Sequence, residues 1–164
     1  MKIDIRTANE MDRDGIWKVL SNAVEQENTC FYSYDMSFDE IMNHWLDKKN
    51  KVYVAEVENE IIGSFYIKPF EVGLSNHIAT GDFVILRSEK SRNAMRIMIQ
   101  VAIQEALKNN FKGMYVKIIQ QNRNALRAFN QNGFHVTGSI PRAFKMSNGR
   151  YAAFVCLTRA IQRY

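Results

Sequence analysis

An apolar stripe with a helical period, flanked on both sides by strand-like segments, constrains the fold of this chain most. The stripe recurs every three or four residues and consists of Ala94, Ile97, Met98, Val101, Ala102 and Ala106. This spacing predicts an amphipathic helix. Residues 76–86 before the stripe and residues 114–119 after it are largely apolar or β-branched, as strands are. A strand, a helix and a further strand in this order predict an α/β fold.

The other elements are predicted from the helical period of 3.6 residues and the strand period of two. Alternating or continuous apolar runs predict strands at residues 2–7, 51–57, 61–69, 134–139 and 151–158. Residues 141–150, with a turn signal at Ser147-Asn148-Gly149, are predicted to connect the last two strands. Helical spacing predicts helices at residues 11–25, after the capping box that begins at Ser37, and from an N-cap at Asn122 to about Gln131. Gly133 follows the last helix, where a left-handed cap is common. We therefore expect one α/β (α+β) domain over residues 1–164, with a mixed sheet of about seven strands and about four helices.

Composition narrows the class of protein. The hydrophobic fraction of 46% and the charged fraction of 24% are typical of globular domains. Apolar runs stay well short of the roughly 18 to 20 residues that span a bilayer, and no long apolar segment follows the first six residues. A cytoplasmic protein is therefore expected. Cys30 and Cys156 are far apart and lack neighbouring ligands, so neither a disulfide framework nor a metal site is indicated.

The net charge of +5 is concentrated before the long helix, where Arg87, Lys90, Arg92 and Arg96 fall within ten residues. A helix start with basic neighbours suits an anionic ligand, although such a cluster can also be a solvated surface. A nucleic-acid-binding protein is the least favoured interpretation, because no basic-aromatic recognition motif accompanies the charge.

Residues 122–134 carry the most specific pattern of the chain. They resemble the Asn-x-x-Ala-x-x-x-Tyr-x-x-x-Gly-Phe segment of the GNAT N-acetyltransferases, with Asn122, Ala125, Gly133 and Phe134 matched and Phe129 at the tyrosine position. The order of the predicted elements resembles that family from residue 2 to residue 158. Further short matches, at 65–69, 73, 76–77, 138–141 and 149, resemble the branch that acetylates small amines such as phosphinothricin, methionine sulfoximine or proline analogues.

The resemblance implies an enzyme that transfers acetyl directly from acetyl-CoA, its cosubstrate, to a small-molecule or peptide amine. It implies no nucleic acid and no membrane as a partner, and a homodimer is also compatible with it. The alternative is a GNAT-fold module that binds a ligand or protein without catalysis.

The same resemblance implies where the coenzyme binds. Residues 90–95 stand where the family has the pattern Arg/Gln-x-x-Gly-x-Gly/Ala, whose backbone N–H groups hold the pyrophosphate. The implied coenzyme contacts are Val84, Ile85, Lys90, Ser91, Arg92, Asn93, Ala94, Met95, Asn122 and Phe129. Both glycines are absent, because Asn93 and Met95 occupy their positions. Either the basic side chains compensate for this loss, or the loop no longer binds phosphate.

The catalytic residues are less clearly defined. The family commonly uses a tyrosine to protonate the departing thiolate, but Phe129 has no proton to give. Tyr66 is the first substitute, with Tyr32, Tyr34 and His77 as alternatives. Asp82 is the candidate for receiving the amine proton, unless it is a surface residue. The predicted acceptor contacts are Phe31, Tyr32, His77 and Thr80, and Glu25 and Glu27 are further candidates for the amine pocket.

Overall fold

The structure, a computed structural model, describes residues 1–26 and 30–163. Its strands are β1 Asp4–Thr7, β2 Lys51–Val57, β3 Glu60–Pro69, β4 Ile78–Thr80, β5 Phe83–Ile85, β6 Gly113–Ile119, β7 His135–Lys145 and β8 Tyr151–Ala160. Its α-helices are α1 Arg13–Glu25, α2 Phe38–Trp45, α3 Ala94–Lys108 and α4 Arg123–Gln131. A 3-10 turn, Glu10–Asp12, precedes α1.

The strands form one mixed sheet in the order β1-β2-β3-β4-β6-β8-β7, and β5 pairs with β3. The β4–β6 pair is parallel, whereas β1–β2, β2–β3, β3–β4, β3–β5, β6–β8 and β7–β8 are antiparallel. The predicted mixed sheet with four helices is confirmed.

Two hydrophobic cores cover the two faces of the sheet. In β2, Tyr53 and Ala55 belong to the core under α3 and α4, whereas Val52 and Val54 belong to the core under α1 and α2. This follows from the strand period of two, which sends successive side chains to opposite faces. The buried members of the predicted α3 stripe, Ala94, Met98, Ala102 and Ala106, all lie in the first core.

Several helix caps and turns have the conformations that their residues favour. The Ser37 hydroxyl accepts a hydrogen bond from Glu40 N (3.1 Å), and the Glu40 carboxylate accepts one from Ser37 N (3.4 Å), which completes the predicted capping box. The β2–β3 hairpin turns at Glu58 and Asn59, both with positive φ (50° and 64°), as a two-residue hairpin turn requires. Gly133 has a φ of 84° after α4.

The prediction of one strand over residues 76–86 is wrong. The segment forms β4 and β5, which Gly81 and Asp82 separate. The reason is a close backbone approach: a Cβ at Gly81 would lie 1.8 Å from the Tyr66 carbonyl oxygen. Tyr66 N donates to Asp82 O (3.2 Å) at this point, and β5 then pairs with β3. The split accounts for eight strands instead of about seven.

The predicted connection over residues 141–150 is also too long. β7 continues to Lys145, and its register against β8 shifts between Ile140 and Phe144. Pro141 lies in this irregular stretch, where a strand tolerates the missing N–H. Only the tight turn at Gly149, with a φ of 83°, remains as predicted.

Gly81→Ala should destabilise the protein by about 3 kcal/mol, the upper end of what overpacking costs, because the added methyl meets backbone that cannot rotate away. Gly138→Ala is the matched control in β7, since a Cβ there has no neighbour within 4 Å. It should change the free energy of unfolding by less than about 0.5 kcal/mol. Urea unfolding followed by circular dichroism measures both. Equal stability of the two variants would contradict the close approach.

Candidate active site

A channel runs between β5 and β6, where the split sheet opens. Its narrow middle, the throat, has a cavity volume of about 60 Å³ and is walled by Phe83, Val84, Ile119 and Phe129. On one side it opens into an amide pocket of about 390 Å³, named for Gln26, Gln121, Asn122 and Asn124. On the other it opens into a tyrosine pocket of about 720 Å³, named for Tyr32, Tyr66 and Tyr115. The throat shares Val84 and Asn122 with the amide pocket, and Tyr32 and Asp82 with the tyrosine pocket, so the three cavities adjoin.

A hydrogen-bonded pair lies where the tyrosine pocket borders the throat. The Tyr66 hydroxyl donates to Asp82 Oδ2 at 2.7 Å, and the Tyr66 ring lies edge-on to Trp45 with centroids 4.9 Å apart. Tyr66 is only 3% exposed. Burial first, and then the charge and hydrogen bond of Asp82, raise the pKa of Tyr66 well above its ordinary value. Tyr66 therefore keeps its proton in the resting protein.

A second polar pair lies across the same pocket. The Tyr32 hydroxyl and His44 Nδ1 are 2.7 Å apart, and burial raises the pKa of Tyr32 above its ordinary value. Phe31, next to Tyr32 in the chain, packs edge-on against Phe154 of β8 with centroids 4.7 Å apart. The segment after Cys30 therefore forms one wall of both the throat and the tyrosine pocket.

Much of the wall of the throat is apolar. Phe129 is fully buried and packs edge-on against Phe83 and Phe134, with centroids 5.2 and 5.0 Å apart. It supplies no proton donor to the channel. Met95, in the first turn of α3, lines both the throat and the amide pocket.

The loop before α3 has a defined geometry despite its missing glycines. Asn93 adopts the left-handed conformation, with a φ of 68°, and its side chain makes no capping hydrogen bond. The first-turn N–H groups of α3 thus lack a side-chain cap. Lys90 pairs instead with the β2–β3 hairpin, through Glu60 (3.1 Å) and Glu58 (3.4 Å). Ser91 is buried and Arg92 is exposed.

Asn122 has the predicted capping role. Its Oδ1 accepts from Ala125 N at 3.3 Å at the start of α4. Its side chain also lines the throat and the amide pocket, and the amide retains a donor group that the cap does not use. Arg87, from the basic cluster, lines the amide pocket too and donates to Gln26 Oε1 at 3.0 Å.

The channel brings together most of the side chains chosen from the sequence. Those that line it are Phe31, Tyr32, Tyr66, Thr80, Asp82, Val84, Ile85, Met95, Asn122 and Phe129. His77 does not line these three compartments, and its carbonyl accepts from Lys112 N at 2.8 Å. Glu25 ends α1 with an exposed side chain, and Glu27 lies outside the described residues.

Sequence reasoning missed several residues of the channel, among them His44, Lys68, Tyr115 and Lys117 of the tyrosine pocket. One signal was present, because Lys117 interrupts the otherwise apolar run of β6. Its Nζ lies 4.9 Å from the Phe31 ring centroid and 5.4 Å from that of Phe154. The Lys117 side chain is exposed, and its ammonium group makes cation–π contacts with both rings.

A family model described as the acetyltransferase (GNAT) domain matches residues 5–154 of the chain. The chain belongs to the GNAT acetyltransferase family. Members transfer an acetyl group from acetyl-CoA to an amine, so membership confirms the predicted N-acetyltransferase activity and acetyl-CoA as the cosubstrate.

Solved structures share the fold of this GNAT acetyltransferase at low sequence identity. A GCN5-related N-acetyltransferase from Kribbella flavida is 21% identical, with a TM-score of 0.87 over 96% of this chain and 97% of its own. A ribosomal-protein-alanine N-acetyltransferase from Brucella melitensis is 19% identical, with a TM-score of 0.85 over 96% and 99%. A phosphinothricin acetyltransferase from Sinorhizobium meliloti, in complex with acetyl-CoA, is 14% identical, with a TM-score of 0.84 over 98% and 89%.

Two further findings concern sequence relatives and membrane-spanning helices. No curated protein sequence matches it significantly. Among the described residues, none of the helices combines the length and apolar character needed to cross a membrane.

Phe129→Ala should lower the free energy of unfolding by about 3 to 5 kcal/mol, because it leaves a ring-sized cavity between two aromatic neighbours. Phe129→Tyr should cost much less, since it keeps the ring and its contacts with Phe83 and Phe134. Leu74→Ala, at a residue 97% exposed, is the control for losing a large apolar side chain. Denaturant unfolding of the three variants tests this. A loss below about 1 kcal/mol for Phe129→Ala would contradict the packing role.

Proposed function

We propose that this GNAT acetyltransferase acetylates the amine of a small molecule, which enters through the tyrosine pocket while acetyl-CoA occupies the amide pocket. The two-sided channel is the observation that carries the proposal. Asp82 lines the throat, and the small volume of the throat admits only a narrow chemical group. An amine and an acyl group that both reach it would therefore be held in contact.

The coenzyme side is assigned to the residues around the starts of α3 and α4. Uncapped N–H groups of the first turn of α3, from Ala94 onward, suit a phosphate, and Arg87 adds a cation on the amide pocket. Asn122 offers its amide, and Val84 and Ile85 line the path. The remaining proposed contacts in the loop before α3 are Lys90, Ser91, Arg92 and Asn93.

These features fit acetyl-CoA, with Met95 as the one misfit. The side chain of Met95 occupies the channel wall where the family keeps backbone bare. Acetyl-CoA supplies the acetyl group in activated form, as a thioester.

Asp82 and Tyr66 are proposed to move the proton. Asp82 accepts it from the attacking amine, which must lose a proton as the new amide bond forms. Tyr66 gives its hydroxyl proton toward the departing sulfur. Its raised pKa alone opposes this release, but Asp82, 2.7 Å away, can return the amine's proton to Tyr66 in the same event. The pair therefore acts as a proton relay, in which neither group ends with a changed charge.

Met95→Gly should tighten acetyl-CoA binding several-fold, since it removes the side chain that narrows the amide pocket and the throat. The helix should lose up to about 1 kcal/mol of stability. Gln100→Gly, at an exposed position in the interior of α3 and outside the channel, carries at least as large a helix cost and should leave affinity unchanged. Isothermal titration calorimetry measures both. Weaker or equal binding by a folded Met95→Gly protein would show that Met95 obstructs nothing.

Tyr66→Phe should lower kcat by about 10²- to 10⁴-fold, the usual contribution of a positioned proton donor. Tyr53→Phe is the matched control, because its buried hydroxyl donates to Glu105 (2.9 Å) outside the channel. It should leave kcat within about twofold. Steady-state release of CoA thiol, with a panel of small primary amines, measures the rates. A wild-type rate for Tyr66→Phe would make solvent the proton source.

A further inference from the structure

Acetylation of an amine removes two protons from its nitrogen. A primary amine is mostly protonated near neutral pH, so the reaction is R–NH₃⁺ + acetyl-S-CoA → R–NH-acetyl + HS-CoA + H⁺. One proton ends on the sulfur through the proposed Asp82–Tyr66 relay, which returns both groups to their starting charge. The relay therefore cannot also hold the other proton, and the site needs a second route to solvent.

Tyr32 and His44 line both the tyrosine pocket and the throat, and the proposed relay does not use them. The Tyr32 hydroxyl and His44 Nδ1 are 2.7 Å apart, and the two rings meet edge-on with centroids 5.5 Å apart. The Tyr32 ring also lies 6.4 Å from Trp45, which packs against Tyr66 at 4.9 Å. The Tyr32–His44 pair therefore lies next to the relay.

The Tyr32 hydroxyl can donate its proton along this contact. Burial first, and then the charges of Asp82 and Cys30, raise the pKa of Tyr32 above its ordinary value, so the hydroxyl keeps its proton. A neutral imidazole has one nitrogen that accepts a hydrogen bond and one that carries a proton. When Nδ1 accepts from Tyr32, the imidazole proton is on Nε2. Donor and acceptor are then aligned from the pocket towards His44.

The position of His44 suits the release of a proton to water. The residue is exposed, and it lies in the last turn of α2. The C-terminal end of a helix carries partial negative charge, which stabilises a cation that forms there. His44 can therefore take up a proton from the pocket side and remain accessible to solvent.

The groups around the pair favour release of that proton over its retention. The titratable and charged side chains that line the two cavities beside the pair are Cys30, Glu40, Tyr66, Lys68, Asp82, Tyr115 and Lys117. Of the two carboxylates, Glu40 accepts from the N-cap of α2 and Asp82 accepts from its relay partner. Among the described residues, no carboxylate oxygen lies within 4 Å of a His44 nitrogen. The two lysines oppose a lasting positive charge on the imidazole.

We propose that Tyr32 and His44 carry the second proton of the amine out of the site. The ammonium gives a proton to the Tyr32 oxygen, the Tyr32 hydroxyl proton passes to His44 Nδ1, and His44 Nε2 releases its proton to water. Tyr32 ends unchanged, and the imidazole returns to its first tautomer by exchange with solvent. Tyr32 contacts the acceptor, whereas His44 acts through Tyr32. This inference rests on the proposed function, because it uses the same acceptor pocket.

Loss of the imidazole should slow the turnover of amines that arrive protonated. His44→Asn keeps a hydrogen-bonding group near the position of Nδ1 but cannot carry a proton onward, and His44→Ala removes the ring. Each should lower kcat for ethylamine or benzylamine about 10²-fold, the lower end of what general acid–base catalysis contributes, because water remains a slower acceptor. Tyr32→Phe combined with His44→Ala should lose no more than either alone, since the two act as a unit. His135→Gln, at an exposed position of β7 outside the channel, is the control.

Three readouts distinguish proton removal from packing, all measured as steady-state release of CoA thiol. Imidazole added to the buffer should restore part of the rate of His44→Ala. Wild-type kcat should rise between about pH 5 and 8, where a histidine ordinarily changes charge, and His44→Asn should lack this rise. Trifluoroethylamine and aniline are mostly neutral under the same conditions and need no second acceptor, so His44→Asn should slow them less than about threefold.

The outcomes separate this inference from the proposed function. If acetyl-CoA does not bind, or if the wild-type protein acetylates none of the small primary amines, the proposed function fails. If amines are acetylated but Tyr32→Phe or His44→Asn keeps the wild-type kcat for protonated amines, the inference alone is overturned. A loss of rate that added imidazole does not relieve, with the pH dependence of kcat unchanged, indicates a packing role and would also overturn it.

Discussion

The close contact between Gly81 and the Tyr66 carbonyl determines the shape of the whole functional region. With no side chain at position 81, the backbone presses against β3. The strand therefore divides, β4 pairs with β6, and β5 returns to β3. The space left between β5 and β6 is the channel. The same contact aligns Asp82 with Tyr66, so one backbone constraint produces both the opening in the sheet and the proton-bearing pair at its edge.

The surroundings of the Tyr66–Asp82 pair determine how readily Tyr66 releases its proton. Apolar rings on one side and Trp45 behind Tyr66 keep water away from the hydroxyl, and this desolvation is the largest cause of the raised pKa of Tyr66. An isolated phenol in such surroundings is a poor acid. Its hydrogen bond to Asp82 makes proton release possible, because a proton that Tyr66 gives to the sulfur can be replaced by one from Asp82. The burial that hinders simple acid catalysis is therefore compatible with a relay.

The sequence predicted those features that depend on neighbours along the chain. The α3 stripe, the capping box at Ser37 and the Asn122 cap are local patterns, and the structure contains all of them. The split at Gly81 depends on Tyr66, fifteen residues away, and no local period records that contact. The lysines of the tyrosine pocket escaped notice for a similar reason. Lys68 and Lys117 lie on different strands, and only the register through Thr80 brings them to one pocket.

The structure also gives different roles to members of the basic cluster before α3 (Arg87, Lys90, Arg92 and Arg96). Lys90, which the sequence aligned with a phosphate-binding position, pairs with Glu58 and Glu60 and so fastens the loop to the β2–β3 hairpin. Arg87 instead lines the amide pocket. In this loop Asn93 has a left-handed conformation, and the first turn of α3, whose Met95 lines the channel, has no side-chain cap. Fixed backbone donors lose little entropy on binding a phosphate. Under the proposed function, the cluster contributes to anion binding mainly through the position of these backbone N–H groups, and the missing glycines matter chiefly where Met95 lines the channel.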